Sequence, residues 1–369
     1  MPLLTRLHLE GFRSIKSAEI ELRALNVMIG ANGAGKSNLI DFFRMLNFAL
    51  TRGFQDPYQK DRGPASAILH FGSKVTGVIR GEFVFETESG RNFYRFTLAD
   101  SAGDRLTFTK EEVQFHGTTH ERPMLPVSLI SHPSDNSGLT ELWAENDSVA
   151  KFTKRFLQRC RVYQFHDTGL KSHLREYSPI DQSAYLYADA GNLSAVLLDL
   201  RTHFPDDYSS IIRNLRSILP WFDDFELEPD GNRGVLLRWR MTGRGDYLFG
   251  PGQLSDGSLR IMALVSLLLQ PVVKLPAVII LDEPELGLHP AAEQVIAGLI
   301  HYASRHCQVL VSTQSSTFID HFSPDDVLVV ENENGESGFT RQSAEALGKW
   351  LERYTLSQIW SKNIIGGRP

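Results

Sequence analysis

GANGAGKS at residues 30–37 is the stretch that decides the fold, because it fits the pattern G-x-x-x-x-G-K-[ST]. Its glycines let backbone N–H groups close around phosphate oxygens, and the following helix points its positive end at them. The apolar run at 25–29 has the pattern of a short strand, and residues 38–46 carry apolar side chains at helical spacing. The alternative, a glycine-rich turn that only reverses the chain, does not account for the Lys36-Ser37 pair.

The loop predicts a bound nucleoside triphosphate with Mg²⁺. Lys36 neutralises the β- and γ-phosphates, and the Ser37 hydroxyl is a ligand of the kind Mg²⁺ takes from proteins. The predicted ATP contacts in and around the loop are Asn32, Gly33, Ala34, Gly35, Lys36, Ser37 and Asn38.

A second stretch, ILDEPELGLHP at 280–290, supplies acidic side chains. The run at 277–281 is continuously apolar, as in a buried parallel strand, and it delivers Asp282 and Glu283 to its carboxyl end. Asp282 is predicted to hold the metal through water, and Glu283 to accept a proton from the water that attacks the γ-phosphate. The alternative is two strand-end acids paired with nearby arginines.

A third stretch, LSDGSLR at 254–260, defines another anion site. Ser255 occupies an N-cap position before the apolar run 259–269, which Pro271 ends. One subunit cannot readily aim both this helix and the Lys36 loop at one γ-phosphate, whereas two subunits head to tail can. The sequence therefore predicts a dimer, or a higher homo-oligomer, joined by ATP.

Together these stretches resemble the ABC-type ATPase heads of the SMC, RecF and OLD proteins. The likeness also includes the opening LEGFRSIK at 9–16, covers essentially the whole chain, and is closest to stand-alone bacterial ATPases without coiled coil or nuclease domain. It implies an α/β P-loop NTPase fold with a mostly parallel core sheet flanked by helices, an antiparallel β subdomain and a helical lid. It implies ATP hydrolysis, and Gln314, which replaces the switch histidine of many ABC ATPases, predicts that this hydrolysis is slow.

The resemblance assigns further roles. Ser255 and Gly257 would contact the γ-phosphate of the partner's nucleotide, and Arg13 resembles an arginine that reaches nucleotide in SMC-like heads. A solvated turn arginine is the alternative for Arg13. The predicted D-loop, which would cross the dimer interface, is Glu285, Leu286, Gly287, Leu288 and His289.

Two positions depart from the family pattern or stay ambiguous. Gln314 stands where many ABC ATPases carry a switch histidine, and glutamine orients water but does not titrate near neutral pH. For the Q-loop metal ligand we choose Gln164, with His166 as the rival. An ordinary hydrogen-bonded interior side chain is the alternative for either residue.

The composition limits which other classes of protein the chain can belong to. Of 369 residues 42% are hydrophobic, but no run of about 18 apolar residues occurs and the N-terminus lacks a signal-peptide core. We therefore expect a cytoplasmic protein with no membrane association. Cys160 and Cys307 form no C-x-x-C pair, so neither a zinc hook nor a disulfide framework is indicated.

Charge gives no general indication of nucleic-acid binding. The net charge is −6, from 38 basic and 44 acidic residues. The best local candidate is the segment 151–161, where Lys151, Lys154, Arg155 and Arg159 share one helical face. DNA or RNA stays open as a partner, and a solvated helix face explains the same pattern.

The motif positions predict three parts: residues 1–139 with the phosphate loop and the antiparallel strands, a helical lid at 140–220, and residues 221–369 with the other motifs. The hairpin is predicted at 75–86 and 91–98, and the segment Asp56 to Ala65 is predicted to be a mobile loop. No sustained heptads occur between 37 and 255, and residues 315–369 are too few for a nuclease domain.

We therefore expect an ATPase that dimerises on ATP and controls a separate effector protein, encoded nearby, in genome maintenance or phage defence. An ATP-gated scaffold with little turnover is the second hypothesis, favoured by Gln314. A transporter ATPase subunit is the third, and the forms of the 280–290 and 9–16 stretches speak against it.

Overall fold

A computed structural model describes residues 1–51, 62–119 and 122–368 of the chain. Most of the loop predicted at Asp56 to Ala65 lies outside the described residues. The chain forms two compact units, unit 1 with Met1–Arg161 and Leu310–Pro369, and unit 2 with Val162–Val309. The three-part division of the chain stays a prediction.

Unit 1 contains two sheets. Its strands are β1 (Leu3–Phe12), β2 (Ile15–Glu21), β3 (Leu25–Ile29), β4 (Val78–Thr87), β5 (Gly90–Ser101), β6 (Arg105–Gly117), β7 (Val127–Ser128), β14 (Val327–Glu333) and β15 (Glu336–Arg341). Its helices are α1 (Lys36–Thr51), α2 (Ala65–Ile68), α3 (Ser148–Gln158), α8 (Ser316–Ile319), α9 (Ala344–Leu351) and α10 (Leu356–Ser361).

The first sheet of unit 1 has the order β2-β1-β4-β5-β6-β7, and β1, β4, β5 and β6 pair antiparallel in turn. The hairpin predicted from the alternating patterns is confirmed as β4 and β5, whose strands join at Thr87 and Gly90. Strand β6 was not predicted, because its charged and polar residues obscure the alternation of a half-buried strand.

An aromatic cluster packs α1 against this antiparallel sheet. Phe42 of α1 lies 5.4 Å from Phe12, 6.0 Å from Phe83 and 6.3 Å from Phe96, measured between ring centroids. All four rings are buried. Because offset and edge-to-face aromatic contacts add to the burial of large apolar surfaces, the cluster fixes the helix that begins at Lys36.

The second sheet of unit 1 holds the phosphate loop. Its order is β15-β14-β3, with β14 parallel to β3 and antiparallel to β15, and residues 310–312 of strand β13 (Gln308–Ser312) lie on the other side of β3. Every residue of β3 is buried. A short, fully buried parallel strand therefore leads directly into residue 30, as the sequence predicts.

Unit 2 is built around a buried helix. Its strands are β9 (Phe222–Glu226), β10 (Arg238–Met241), β11 (Leu248–Phe249) and β12 (Val278–Asp282), and its helices are α4 (Leu193–His203), α5 (Pro205–Ile218), α6 (Asp256–Leu268) and α7 (Pro290–Ala303). Strand β12 lies between β13 and β8 (Cys160–Tyr163), and β9, β10 and β11 form a small antiparallel sheet.

Helix α6 is buried on most of its surface, from Ser258 to Leu268. A helix that is apolar on all sides is usually buried along its whole length. The first turn of α6 is an exception. Ser255 and Asp256 at that end are exposed. In the described part of the chain, no helix is long and apolar enough to cross a membrane.

Candidate functional site

The phosphate loop in unit 1 has a backbone that requires glycine. Gly33 has φ +80° and Gly35 has φ +116°, and a Cβ at residue 35 would lie 2.1 Å from Ser337 Oγ. Such angles are strained for residues with a side chain. The Lys36 side chain is 5% exposed, and its Nζ donates hydrogen bonds to the carbonyl oxygens of Gly30 and Ala31.

The hydroxyl groups of Ser337 and Ser14 hold this loop. Ser337 Oγ, on β15, donates to Ala34 O at 2.6 Å and lies 2.7 Å from Ser14 Oγ. Asn38 Nδ2, in the first turn of α1, donates to Ser14 Oγ at 2.6 Å. Ser14 belongs to the motif at 9–16, but nothing in the sequence marks Ser337, because its role depends on strand pairing.

The remaining residues of the loop differ in exposure. Asn32, Gly33 and Ser37 are exposed, whereas Ala34 and Gly35 are buried. The exposed Ser37 hydroxyl and the helix dipole of the 16-residue α1 lie at the same end of the helix. This arrangement of loop, lysine and helix end is suited to an anion, and a hydroxyl is an oxygen ligand of the kind that Mg²⁺ prefers.

Arg13 is held by the helix that follows the loop. Its Nη2 lies 2.7 Å from Asp41 Oδ2 on α1, and Arg62 Nε lies 3.3 Å from the other oxygen of this nearly buried carboxylate. Arg13 also has a positive φ of 50° and a side chain that is 25% exposed. It is thus an ion-paired residue rather than a solvated turn arginine, and its contact with nucleotide stays a prediction.

Two other segments of unit 1 reach the loop region. Thr313 N donates to Met28 O at 3.0 Å, so the exposed Gln314 follows the strand beside β3. Near the end of the chain, Gly367 packs against residue 30, where a Cβ on Gly367 would lie 3.4 Å from Gly30 Cα. Trp360 Nε1 donates to Gly367 O at 2.7 Å, which fixes that segment.

The predicted acidic pair lies in unit 2. Asp282 ends β12, which is buried up to that residue, and Glu283 follows with φ +48°. A glutamate in the left-handed region is strained, and such strain concentrates at functional sites. Its backbone conformation is a feature that the sequence motif does not reveal.

Gln164 and His166 both contact Asp282. Gln164 Nε2 donates to Asp282 Oδ2 at 3.3 Å, and His166 Nε2 donates to Asp282 O at 3.1 Å. His166 Nδ1 lies 3.2 Å from Gln164 Nε2 and accepts from it in this tautomer. Of the two residues, Gln164 contacts the carboxylate and His166 contacts the backbone carbonyl, and the choice of Gln164 as a metal ligand stays a prediction.

The LSDGSLR segment begins helix α6 as the sequence predicts. Ser255 is the N-cap, and its Oγ accepts from Ser258 N at 3.2 Å. Gly257 lies against the predicted D-loop, because a Cβ at residue 257 would be 3.1 Å from Gly287 O. In the D-loop, Glu285 is buried, Leu286 is 44% exposed, and His289 caps α7.

Two arginines of unit 2 connect these motifs. Arg260 donates to Leu286 O at 2.7 Å, to Phe165 O at 3.0 Å and to His166 O at 3.1 Å. One side chain thus joins the α6 segment, the Gln164 segment and the D-loop. The motif pattern includes Arg260 but does not predict these partners.

Arg175 binds the residues that precede and begin α6. Its guanidinium, 8% exposed, donates to Asp256 Oδ1 at 3.0 Å, to Leu254 O at 3.2 Å and to Pro251 O, and its Nε donates to Thr168 O at 2.9 Å. A buried arginine needs such acceptors to offset the loss of water. The sequence offers no signal for this residue.

The basic face predicted on α3 is partly neutralised. Lys154 Nζ lies 2.7 Å from Glu145 Oε1, and Lys151 Nζ lies 3.9 Å from the other oxygen of the same carboxylate. The lysines lower the pKa of Glu145, chiefly through the hydrogen bond from Lys154. Nucleic-acid binding by this face stays a prediction.

Comparison with solved structures identifies the fold. The chain matches a structure titled "Crystal structure of the SmcHead bound to the C-winged helix domain of ScpA" at 16% identity and TM-score 0.61, covering 94% of this chain and 99% of that one. It also matches an Smc head domain with an extended coiled coil bound to the C-terminal domain of ScpA from Pyrococcus furiosus, at 16% identity and TM-score 0.54, covering 95% and 99%. No curated protein matches the chain in sequence.

The comparison shows that the chain has the SMC-head fold, which together with the phosphate loop defines a P-loop NTPase fold. The predicted fold class is thereby confirmed. The chain belongs to the family AAA_21, described as "AAA domain, putative AbiEii toxin, Type IV TA system", whose model matches residues 25–320.

Proposed function

We propose that this protein binds ATP with Mg²⁺, forms a head-to-tail dimer around it and hydrolyses it slowly. The observation that carries the proposal is the exposed start of α6, where Ser255 and Asp256 face solvent while most of the helix from Ser258 to Leu268 is buried. An exposed helix N-terminus with a serine cap suits an anion brought by another molecule.

A second observation supports the dimer. The D-loop adjoins the start of α6, and its Leu286 and Gly287 are exposed. A surface that combines an anion site with an exposed apolar side chain suits a symmetric interface, since a two-fold axis presents the same patch on both copies. In the proposed dimer, Ser255 and Gly257 of each copy contact the γ-phosphate held by the other copy.

The proposed chemistry uses few residues. Backbone N–H groups of the phosphate loop bind the β- and γ-phosphates, and Lys36 neutralises their charge. Ser37, Asp282 and Gln164 are oxygen-bearing side chains that would hold Mg²⁺, which neutralises phosphate charge when bound. Glu283 accepts a proton from the attacking water, and Gln314 orients that water.

Replacing Glu283 by glutamine tests the proposal. The variant keeps the size of the side chain and one acceptor oxygen but loses its basicity, so it should bind ATP, accumulate as a dimer and lose about 100-fold or more in turnover. Size-exclusion chromatography with light scattering and phosphate release measure the two effects. Glu293→Gln, a change of the same chemistry on α7, serves as the control.

Unchanged turnover in Glu283→Gln would exclude Glu283 as the base. An ATP-bound Glu283→Gln variant that stays monomeric at all concentrations would exclude the ATP-dependent dimer instead. The two results separate the hydrolysis mechanism from the assembly.

An ATP-gated scaffold with little turnover is the second candidate function. Gln314, exposed after β13, favours it because glutamine cannot take up a proton as a switch histidine does. In that case binding alone sets the state of the protein, and hydrolysis only resets it. A measured turnover that is required for the biological effect would favour the ATPase cycle over the scaffold.

We further propose a cytoplasmic role in which the ATP state controls a separate effector in genome maintenance or phage defence. Two observations support a partner: the family description names a toxin of a Type IV toxin–antitoxin system, and both similar SMC heads were solved bound to ScpA. Purification of the protein with and without ATP, together with the product of the neighbouring gene, tests this. Equal association in both states would contradict ATP control.

A further inference from the structure

Phe71 is an exposed aromatic residue in a strained backbone. Its side chain is 61% exposed, and its φ is +54°. Single exposed apolar side chains are common and need no explanation. A bulky residue in the left-handed region is uncommon, however, and the surrounding structure must stabilise it.

The neighbours of Phe71 hold its ring in place. The ring of the buried His70 packs beside it with 4.3 Å between ring centroids, and His70 Nδ1 donates to Arg13 O at 2.6 Å. The edge of the Phe71 ring meets the β14–β15 turn, where a Cβ at Gly335 would lie 2.6 Å from Phe71 Cζ. The position therefore depends on a glycine in the facing turn.

These contacts place the ring close to the phosphate loop. Gly335 is two residues before Ser337, which spans about 6.6 Å in an extended strand, and Ser337 Oγ donates to Ala34 O. On the other side, Arg13 N donates to Ile68 O and His70 N donates to Gly11 O, so the Phe71 segment lies along the end of β1. Ser14, the next residue after Arg13, contacts Asn38.

We propose that Phe71 stacks on the base of the nucleotide whose phosphates bind at residues 30–37. This inference rests on the proposed nucleotide binding. A base is joined to the β-phosphate through the ribose and the α-phosphate, so a ring that stacks on the base lies beside the phosphate loop and not within it. The flat face of an aromatic ring attracts any nucleobase, so the contact adds affinity without strong selection among bases.

Comparing ATP with inorganic tripolyphosphate isolates the base. Phe71→Ala should weaken ATP binding roughly 5- to 100-fold, as expected for loss of one stacked base, and should leave tripolyphosphate binding unchanged. Isothermal titration calorimetry on the full chain measures both. Val75→Ala is the matched control, because Val75 is 68% exposed in the same connection but has no positive φ.

A tryptophan at this position provides a second readout if the alanine variant folds poorly. Phe71→Trp should bind ATP at least as tightly as the parent, and ATP should quench its added fluorescence while tripolyphosphate should not. ATP affinity unchanged in Phe71→Ala, or equal losses for ATP and tripolyphosphate, would overturn the inference. If the parent chain bound neither ligand, the proposed nucleotide site itself would fail first.

Discussion

At the scale of single residues, the phosphate loop depends on space as much as on charge. A Cβ at residue 35 would lie 2.1 Å from Ser337 Oγ and 2.8 Å from Ser337 Cβ. Glycine at this position is therefore needed both for its backbone angle and for the close approach of β15. The phosphate-loop pattern predicts the glycine, but only the structure identifies what it accommodates.

Gly35→Ala should weaken ATP binding about tenfold or more, because overpacking and backbone strain each cost on the order of 1–3 kcal/mol. Ser337→Gly removes both clashing atoms, so the double variant should recover part of the loss. Calorimetric titration with ATP gives the affinities. Gly338→Ala is the control, since a Cβ there meets nothing within 4 Å. Full ATP affinity in Gly35→Ala would contradict this account of the loop.

At the scale of secondary-structure elements, Arg175 determines how α6 begins. The residue belongs to the short helical turn His173–Arg175, and it holds both the 251–254 connection and Asp256 in the first turn of α6. We therefore regard it as a positioning residue for Ser255. Replacing Arg175 should therefore impair the site built on the partner's phosphate loop and not the site built on the phosphate loop of the same copy.

Arg175→Met should lower ATPase activity about 10- to 100-fold, the cost expected when a reacting group is misplaced by about 1 Å. Activity should return partly when this variant is mixed with Lys36→Ala, but not when it is mixed with Ser255→Arg. Arg233→Met, at a position 73% exposed in unit 2, serves as the control. Rescue by Ser255→Arg, or none by Lys36→Ala, would rule out this positioning role.

A buried carboxyl group joins β6 to the connection that follows it. Glu111 accepts hydrogen bonds from Tyr94 Oη, Ser137 Oγ and Gly138 N, and the residue is fully buried. Burial raises the pKa of Glu111 above its ordinary 4.5, and the hydrogen bonds oppose this shift only in part. The protonated form is thus favoured in the folded protein more than in the unfolded chain.

The raised pKa of Glu111 determines how the stability of the fold depends on pH. The protonated Glu111 stabilises the folded protein fully at a pH below the pKa of Glu111 in the unfolded chain, near 4.5. This stabilisation is lost as the pH rises through the pKa of Glu111 in the folded protein. Glu111→Gln does not titrate, so the melting temperature of the parent relative to the variant should fall across this window. Thermal unfolding at several pH values measures it. A difference that stays constant or grows with pH would contradict the raised pKa.

At the scale of the whole molecule, the sequence predicted the parts whose chemistry depends on local order. The phosphate loop, its strand and helix, the β12 end with Asp282 and the capped start of α6 all follow from short patterns, and the structure contains each of them. The SMC-head fold is confirmed with them. These features depend on neighbouring residues in the chain, so one sequence suffices.

What the sequence did not predict depends on contacts between distant segments. Ser337 at Ala34, Gly367 at Gly30 and Arg175 at Asp256 join residues that are far apart in the chain. The positive φ of Glu283 is also not indicated by the motif in which it lies. No periodicity or motif records such contacts, because pairing register and tertiary packing decide them.

The central claim is that each active centre is shared between two copies, and mixing two inactive subunits tests it most directly. Lys36→Ala inactivates the phosphate loop of the subunit that carries it, and Ser255→Arg blocks the N-terminus of α6 in the other subunit. In a head-to-tail dimer of one subunit of each kind, one of the two sites is intact, so an equal mixture should reach about a quarter of the parent's ATPase activity. No activity at any mixing ratio, with both variants folded, would contradict the shared site.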